Sequence, residues 1–123
     1  MDEGVVKYRC DWTQTEPVAV ENRAGLMKWR DRLHAWGLIG VYENGIGFGN
    51  VSVRLGNYDQ FVISGTQTAH LPSLGPELYC IVTEFNLEEN SIACRGPVQA
   101  SSESLTHVAL YLHSEDILGT AVS

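Results

Sequence analysis

Apolar residues recur at helical spacing over Leu26, Trp29, Leu33 and Trp36, so the pattern predicts a helix from Pro17 to Trp36 with those four side chains inward. Pro17 suits the first turn, where a missing N–H costs no intrahelical bond, and Gly37 suits the end. Lys28, Arg30, Asp31 and Arg32 fall on the expected wet face, with His34 beside the stripe as a packed or surface residue. The period then changes to two. Val51, Val53 and Leu55 alternate with Ser52 and Arg54, which predicts a half-buried strand over Asn50–Leu55. Gly56-Asn57 supplies a turn, and Gln60–Ser64 returns as a second strand. The apolar, β-prone run Leu78–Phe85 is the expected central strand, and Ser91–Arg95 a short one.

The segment Gly96–Leu112 reads as a loop turning into a second helix. Ser101 and Ser102 stand at its start and Glu103 in its first turn. Leu105, Val108, Ala109 and Leu112 make the expected buried face, and Glu103, His107 and Tyr111 share a different one. Ser114-Glu115-Asp116 reads as a turn and Ile117–Val122 as the opening of another buried strand. The order helix, strands, helix, strand predicts an α/β or α+β fold, a sheet covered by helices. Residues 1–16 are polar and read as an N-terminal arm, and residues 17–123 as one domain.

Composition narrows the function classes. With 123 residues, 44% of them hydrophobic, the chain suits one domain with a real core. A net charge of -7 without a basic patch argues against nucleic acid and anionic membranes as partners. No apolar run is long enough to span a bilayer, and the acidic N-terminus lacks a signal-peptide layout, so a cytoplasmic location is expected. Cys10, Cys80 and Cys94 form no CxxC pair and read as buried or idle thiols.

Three stretches carry candidate chemistry. The glycines of Gly45–Asn50, GIGFGN, superficially suggest a dinucleotide loop, but this one leads into a strand, whereas the fingerprint leads into a helix. The loop Gly65–Glu77 offers Thr66, Gln67 and Thr68 as donors to an anion, or as a plain turn bonding its own backbone. Ser101, Ser102 and the free N–H groups of a helix start favour an anion, with a simple N-cap as the alternative. His70 and His113 have no evident partners and read as surface residues.

GNVSVR (Gly49–Arg54), FVISGTQT (Phe61–Thr68) and ASSESLTHVALY (Ala100–Tyr111) resemble, in order and spacing, three successive motifs of the class II aldolase/adducin family. The likeness runs from about residue 20 to residue 121. It implies a three-layer α/β/α sandwich around a mainly antiparallel sheet, truncated here at the C-terminus relative to the family, so that residues 17–123 would be an incomplete domain. It also implies a homo-oligomer, a small phosphorylated sugar or other small anion as ligand, and zinc or another divalent metal as cofactor. By matching position, Asn50, Thr66, Gln67, Ser101 and Ser102 would contact the phosphate and Glu103 would be the catalytic carboxylate, exchanging a proton beside the ketone. His107 also matches a family position and reads as structural support. Gln67 stands where the family usually carries Gly. The family's zinc is held by a His-x-His pair on the strand after the helix, and this chain contains no such pair; Val122 falls about where the first ligand belongs. The expectation therefore divides between a metal-dependent aldolase- or epimerase-like enzyme acting on a small sugar phosphate, inactive unless its metal ligands come from outside these residues, and a non-enzymatic, adducin-like domain for anion binding or assembly.

Overall fold

The computed structural model describes residues 8–17, 23–55 and 60–118. It is a mixed α/β fold: a five-stranded, mostly antiparallel sheet with two helices. In chain order the elements are β1 (Arg9–Gln14), α1 (Arg23–Ala35), β2 (Gly40–Val41), β3 (Gly47–Phe48), β4 (Ser52–Leu55), β5 (Gln60–Ser64), β6 (Tyr79–Asn86), β7 (Ser91–Gly96) and α2 (Ser104–Leu118). The sheet runs β1-β7-β6-β5-β4, with β1 parallel to β7 and the other neighbours antiparallel. The expected turn at Gly56-Asn57 lies outside the described residues.

Strand alternation sorts the core into two clusters. Phe61, Ile63, Cys80, Val82, Ile92 and Cys94 pack with Val108 of α2, and Leu105 and Tyr111 lie against them. Val62, Tyr79 and Ile81 pack with Leu26 of α1 and with Leu74, joined by Met27, Val51, Val53 and Leu55. The expected alternation of β4 and the central position of β6 are both present. Among the described residues, no helix is long and apolar enough to cross a membrane.

Four expectations are corrected. First, residues 9–14 of the expected arm are the sheet's β1, which the Trp12 indole holds by donating to the Gly96 carbonyl at 3.0 Å. This places Cys10 beside Cys94, with their sulfurs 3.4 Å apart, so the three cysteines share one core region. Second, α1 presents a different stripe. Leu26 and Arg30 are buried, whereas Trp29 and Trp36 are 51% and 62% exposed. The two tryptophans meet edge to face at 6.3 Å, and the Arg32 guanidinium covers the Trp29 ring at 5.3 Å. Third, among the side chains described on α2, those of residues 104–113, the buried ones are Ser104 and Val108, with Leu105, His107 and Tyr111 half-buried and Ala109 and Leu112 outward. Fourth, α2 continues through Ser114-Glu115-Asp116 to Leu118, where a turn and then a strand were expected. No Gly or Pro interrupts the helix before Gly119. Residues 119–122 of the expected strand lie outside the described residues.

The end of α1 follows the expectation. Gly37 has φ +80°, its N–H reaches His34 O at 3.0 Å, and the Leu38 N–H reaches Leu33 O at 2.9 Å, the paired bonds of a Schellman cap. The chain then forms the β2–β3 hairpin, and Gly49 turns it towards β4. Gly49 has φ +84°, and a Cβ there would stand 2.7 Å from Leu38 O. Gly49→Ala should cost roughly 2–3 kcal/mol, backbone strain plus overlap. Gly45→Ala, with φ +87° but open space around it, should cost roughly 1–2 kcal/mol. Thermal melts of the two variants check the difference.

Candidate functional site

A cavity of about 530 Å³ opens where three separated stretches meet: the Gly-rich segment before β4, the loop after β5, and the turn into α2. All six residues singled out in the sequence line it: Asn50, Thr66, Gln67, Ser101, Ser102 and Glu103. Pairing in the sheet brings the first two stretches together. β4 and β5 are antiparallel neighbours, and the isolated bridge between Gly65 and Ala100 ties the loop to the α2 turn.

Each lining stretch has its own local cause. Gln67 sits in the left-handed region, φ +58°, a conformation that favours glycine. Thr68 is buried and its hydroxyl donates to Gly65 O at 2.9 Å, so it closes its own turn and is not free for a ligand. The turn is held from outside by α1. Arg30 donates through Nη2 to Thr68 O at 2.9 Å and through Nη1 to Leu71 O at 2.6 Å. Asp31 accepts from Ser73 Oγ at 2.9 Å and from the Leu74 N–H at 3.2 Å. A cation and an anion on adjacent helix positions thus clamp both halves of the loop.

At the third stretch the helix begins at Ser104, and Ser101–Glu103 form the turn that leads into it. Ser101 is buried; its hydroxyl accepts from the Glu103 N–H at 3.1 Å, as a capping serine does. Its carbonyl accepts from the Ser104 hydroxyl at 2.7 Å. Ser102 and Glu103 are exposed at the cavity. The simple cap and the cavity-lining hydroxyl are therefore one and the same side chain.

Behind Ser101 stands a polar network. Asn50 Nδ2 donates to Ser101 Oγ at 2.9 Å, and Asn50 Oδ1 meets His107 Nε2 at 2.5 Å. His107 Nδ1 lies 2.6 Å from Ser52 Oγ, which also contacts the Tyr111 hydroxyl. Sequence reasoning missed Ser52 and Tyr111 as parts of the site. Their signal was the strand period, which puts Asn50 and Ser52 on one side, combined with the four-residue spacing of His107 and Tyr111.

Burial holds the His107 imidazole below the usual histidine range, and the Glu103 carboxylate partly offsets this. The folded ring therefore takes up a proton at lower pH than the unfolded chain, whose histidine titrates near about 6.5. Its contribution to stability is complete above that value and is lost as pH falls below it towards the folded value. Calorimetric melts of the parent and of His107→Gln should show the parent's advantage shrinking between about pH 7.5 and pH 5.

No known protein family matches the chain, and neither a characterised protein nor a solved structure is detectably similar to it.

Proposed function

We propose that this chain is a small-anion-binding domain of the class II aldolase/adducin kind, taking the phosphate of a small phosphorylated sugar in the cavity beside Ser101. The reading rests on one observation: Asn50, Thr66, Gln67, Ser101 and Ser102, chosen as phosphate contacts from sequence motifs, line a single cavity together with Glu103. Hydroxyls and a side-chain amide at the start of a helix favour an anion without needing a cationic side chain. In the same reading the sheet with its two helices is a three-layer α/β/α sandwich, and copies of the chain self-associate.

Zinc does not fit the described residues. Among them there is no group of three or more His, Cys, Asp or Glu side chains able to hold a metal. His107, one turn from Glu103, has both ring nitrogens engaged by Asn50 and Ser52. These donors favour binding as the main role. Glu103, exposed at the cavity, supplies the second, enzymatic reading: a carboxylate exchanging a proton with the carbon beside the ketone of a bound sugar phosphate.

Titrating inorganic phosphate and small phosphorylated ketoses by calorimetry tests the first reading. Saturable binding is expected, weakened about tenfold or more in Ser101→Ala, because a hydrogen bond to a charged ligand is lost. No saturable binding would overturn it. Solvent deuterium appearing at the carbon beside the ketone, and lost in Glu103→Gln, would establish the enzymatic reading; binding without exchange would leave the domain a binder.

A further inference from the structure

The hydrogen bonds behind Ser101 form a directed chain. Ser101 Oγ accepts from Asn50 Nδ2 at 2.9 Å and from the Glu103 N–H at 3.1 Å. A serine hydroxyl has two acceptor positions and one proton. Both acceptor positions are filled, so the proton is all that Ser101 has left to offer. Ser101 is 6% exposed and lines the cavity, which is where that proton goes. Asn50 has its amide nitrogen on Ser101 and turns Oδ1 to His107 Nε2 at 2.5 Å. That oxygen needs a donor, so the imidazole carries its proton on Nε2. Nδ1 is then bare and accepts from Ser52 Oγ at 2.6 Å. Ser52, having given its proton away, accepts from the Tyr111 hydroxyl. The phenol is held in place by Phe61, edge to face at 5.5 Å, and by the Arg54 guanidinium 4.9 Å from its ring centre.

We infer that Tyr111, Ser52 and His107 form a one-way relay that fixes the Asn50 amide and leaves the Ser101 hydroxyl an obligate donor to the cavity. His107 is then a positioning residue that makes the site select ligands rich in acceptors, such as phosphate, over cations and other donors. The ligand preference rests on the anion-binding reading above; the direction of the relay does not. The opposite direction would satisfy the same contacts with every link reversed. His107 would carry its proton on Nδ1, Asn50 would donate to Nε2, and the Ser101 proton would be consumed by Asn50. The two directions differ in one observable, the nitrogen that holds the His107 proton.

Long-range proton–nitrogen NMR of the 15N-histidine-labelled parent at neutral pH, without ligand, reads that nitrogen directly, with His107→Gln providing the assignment. The Nε2–H tautomer is expected, and Nδ1–H would overturn the relay. This measurement needs no variant to be more than a reference, so it stands even where a substitution harms folding. Inorganic phosphate is then titrated into the parent, His107→Leu and His107→Gln, each checked for its fold by circular dichroism. Leu cannot donate to Asn50, and binding should weaken about tenfold. The Gln side-chain amide can donate, and binding should return to within about threefold of the parent. Equal weakening in two folded variants would overturn the positioning role. A parent with the Nε2–H tautomer and no saturable phosphate binding would overturn the acceptor preference and the anion-binding reading while upholding the relay.

Discussion

Replacing Arg30 with Leu should destabilise the protein by roughly 3–5 kcal/mol, lowering its melting temperature by roughly 10–20 °C. Arg30 is 1% exposed, and its guanidinium serves two carbonyls of the loop after β5, Thr68 O and Leu71 O. Leu fills part of the volume and supplies no donor. Two carbonyls would lose their charged partner; Thr68 O keeps only the Leu71 N–H at 3.1 Å, and an acceptor left unmet, as at Leu71, costs about 1–3 kcal/mol. The effect should spread to the cavity, because Thr66 and Gln67 sit on the loop that Arg30 anchors. Lys28→Ala, on the exposed side of the same helix, should change stability by less than about 0.5 kcal/mol. Urea unfolding of the two variants makes the comparison. A small effect at Arg30 would mean that the loop is held by Asp31 and its own turns.

The same residue marks where the pattern of the sequence misleads. Leu26, Arg30 and Leu33 have helical spacing, but a charged side chain is normally assigned to water, and two tryptophans nearby are normally assigned to the core. What reverses the assignment is a loop some forty residues away with carbonyls to satisfy, and nothing local announces it. β1 was hidden for a similar reason. Its partner β7 is about eighty residues distant, and five of its six side chains are exposed, so it shows no apolar alternation. By contrast, β4 to β7 were legible because each carries apolar side chains in strand period or as a continuous buried run. The candidate site was legible as three stretches, since glycines, a Thr-rich turn and a serine pair before a helix each have local meaning. Its supporting network was not. Ser52 reads as the polar side of a strand, and Tyr111 as one aromatic on a helix, until the sheet and α2 are brought together.

Val108→Asp should cost more than about 4 kcal/mol and leave little folded protein at room temperature. Val108 is 1% exposed and packs among Phe61, Ile63, Val82 and Cys94, where a carboxylate would meet neither water nor a cation. The neighbouring position decides between two registers of α2. The apolar spacing alone puts Ala109 on the buried face with Val108, whereas the structure turns Ala109 outward and gives that place to Ser104, Leu105 and Tyr111. Ala109→Asp should therefore cost no more than about 1 kcal/mol, mostly the lower helix propensity of aspartate. Circular dichroism and urea titration of the pair separate the alternatives. If both substitutions unfold the chain, α2 is rotated by a fraction of a turn from its place here. The contacts of His107 and Tyr111 with β4 then could not form as described, because a helix cannot change the side chains it buries without also moving those it presents to Asn50 and Ser52.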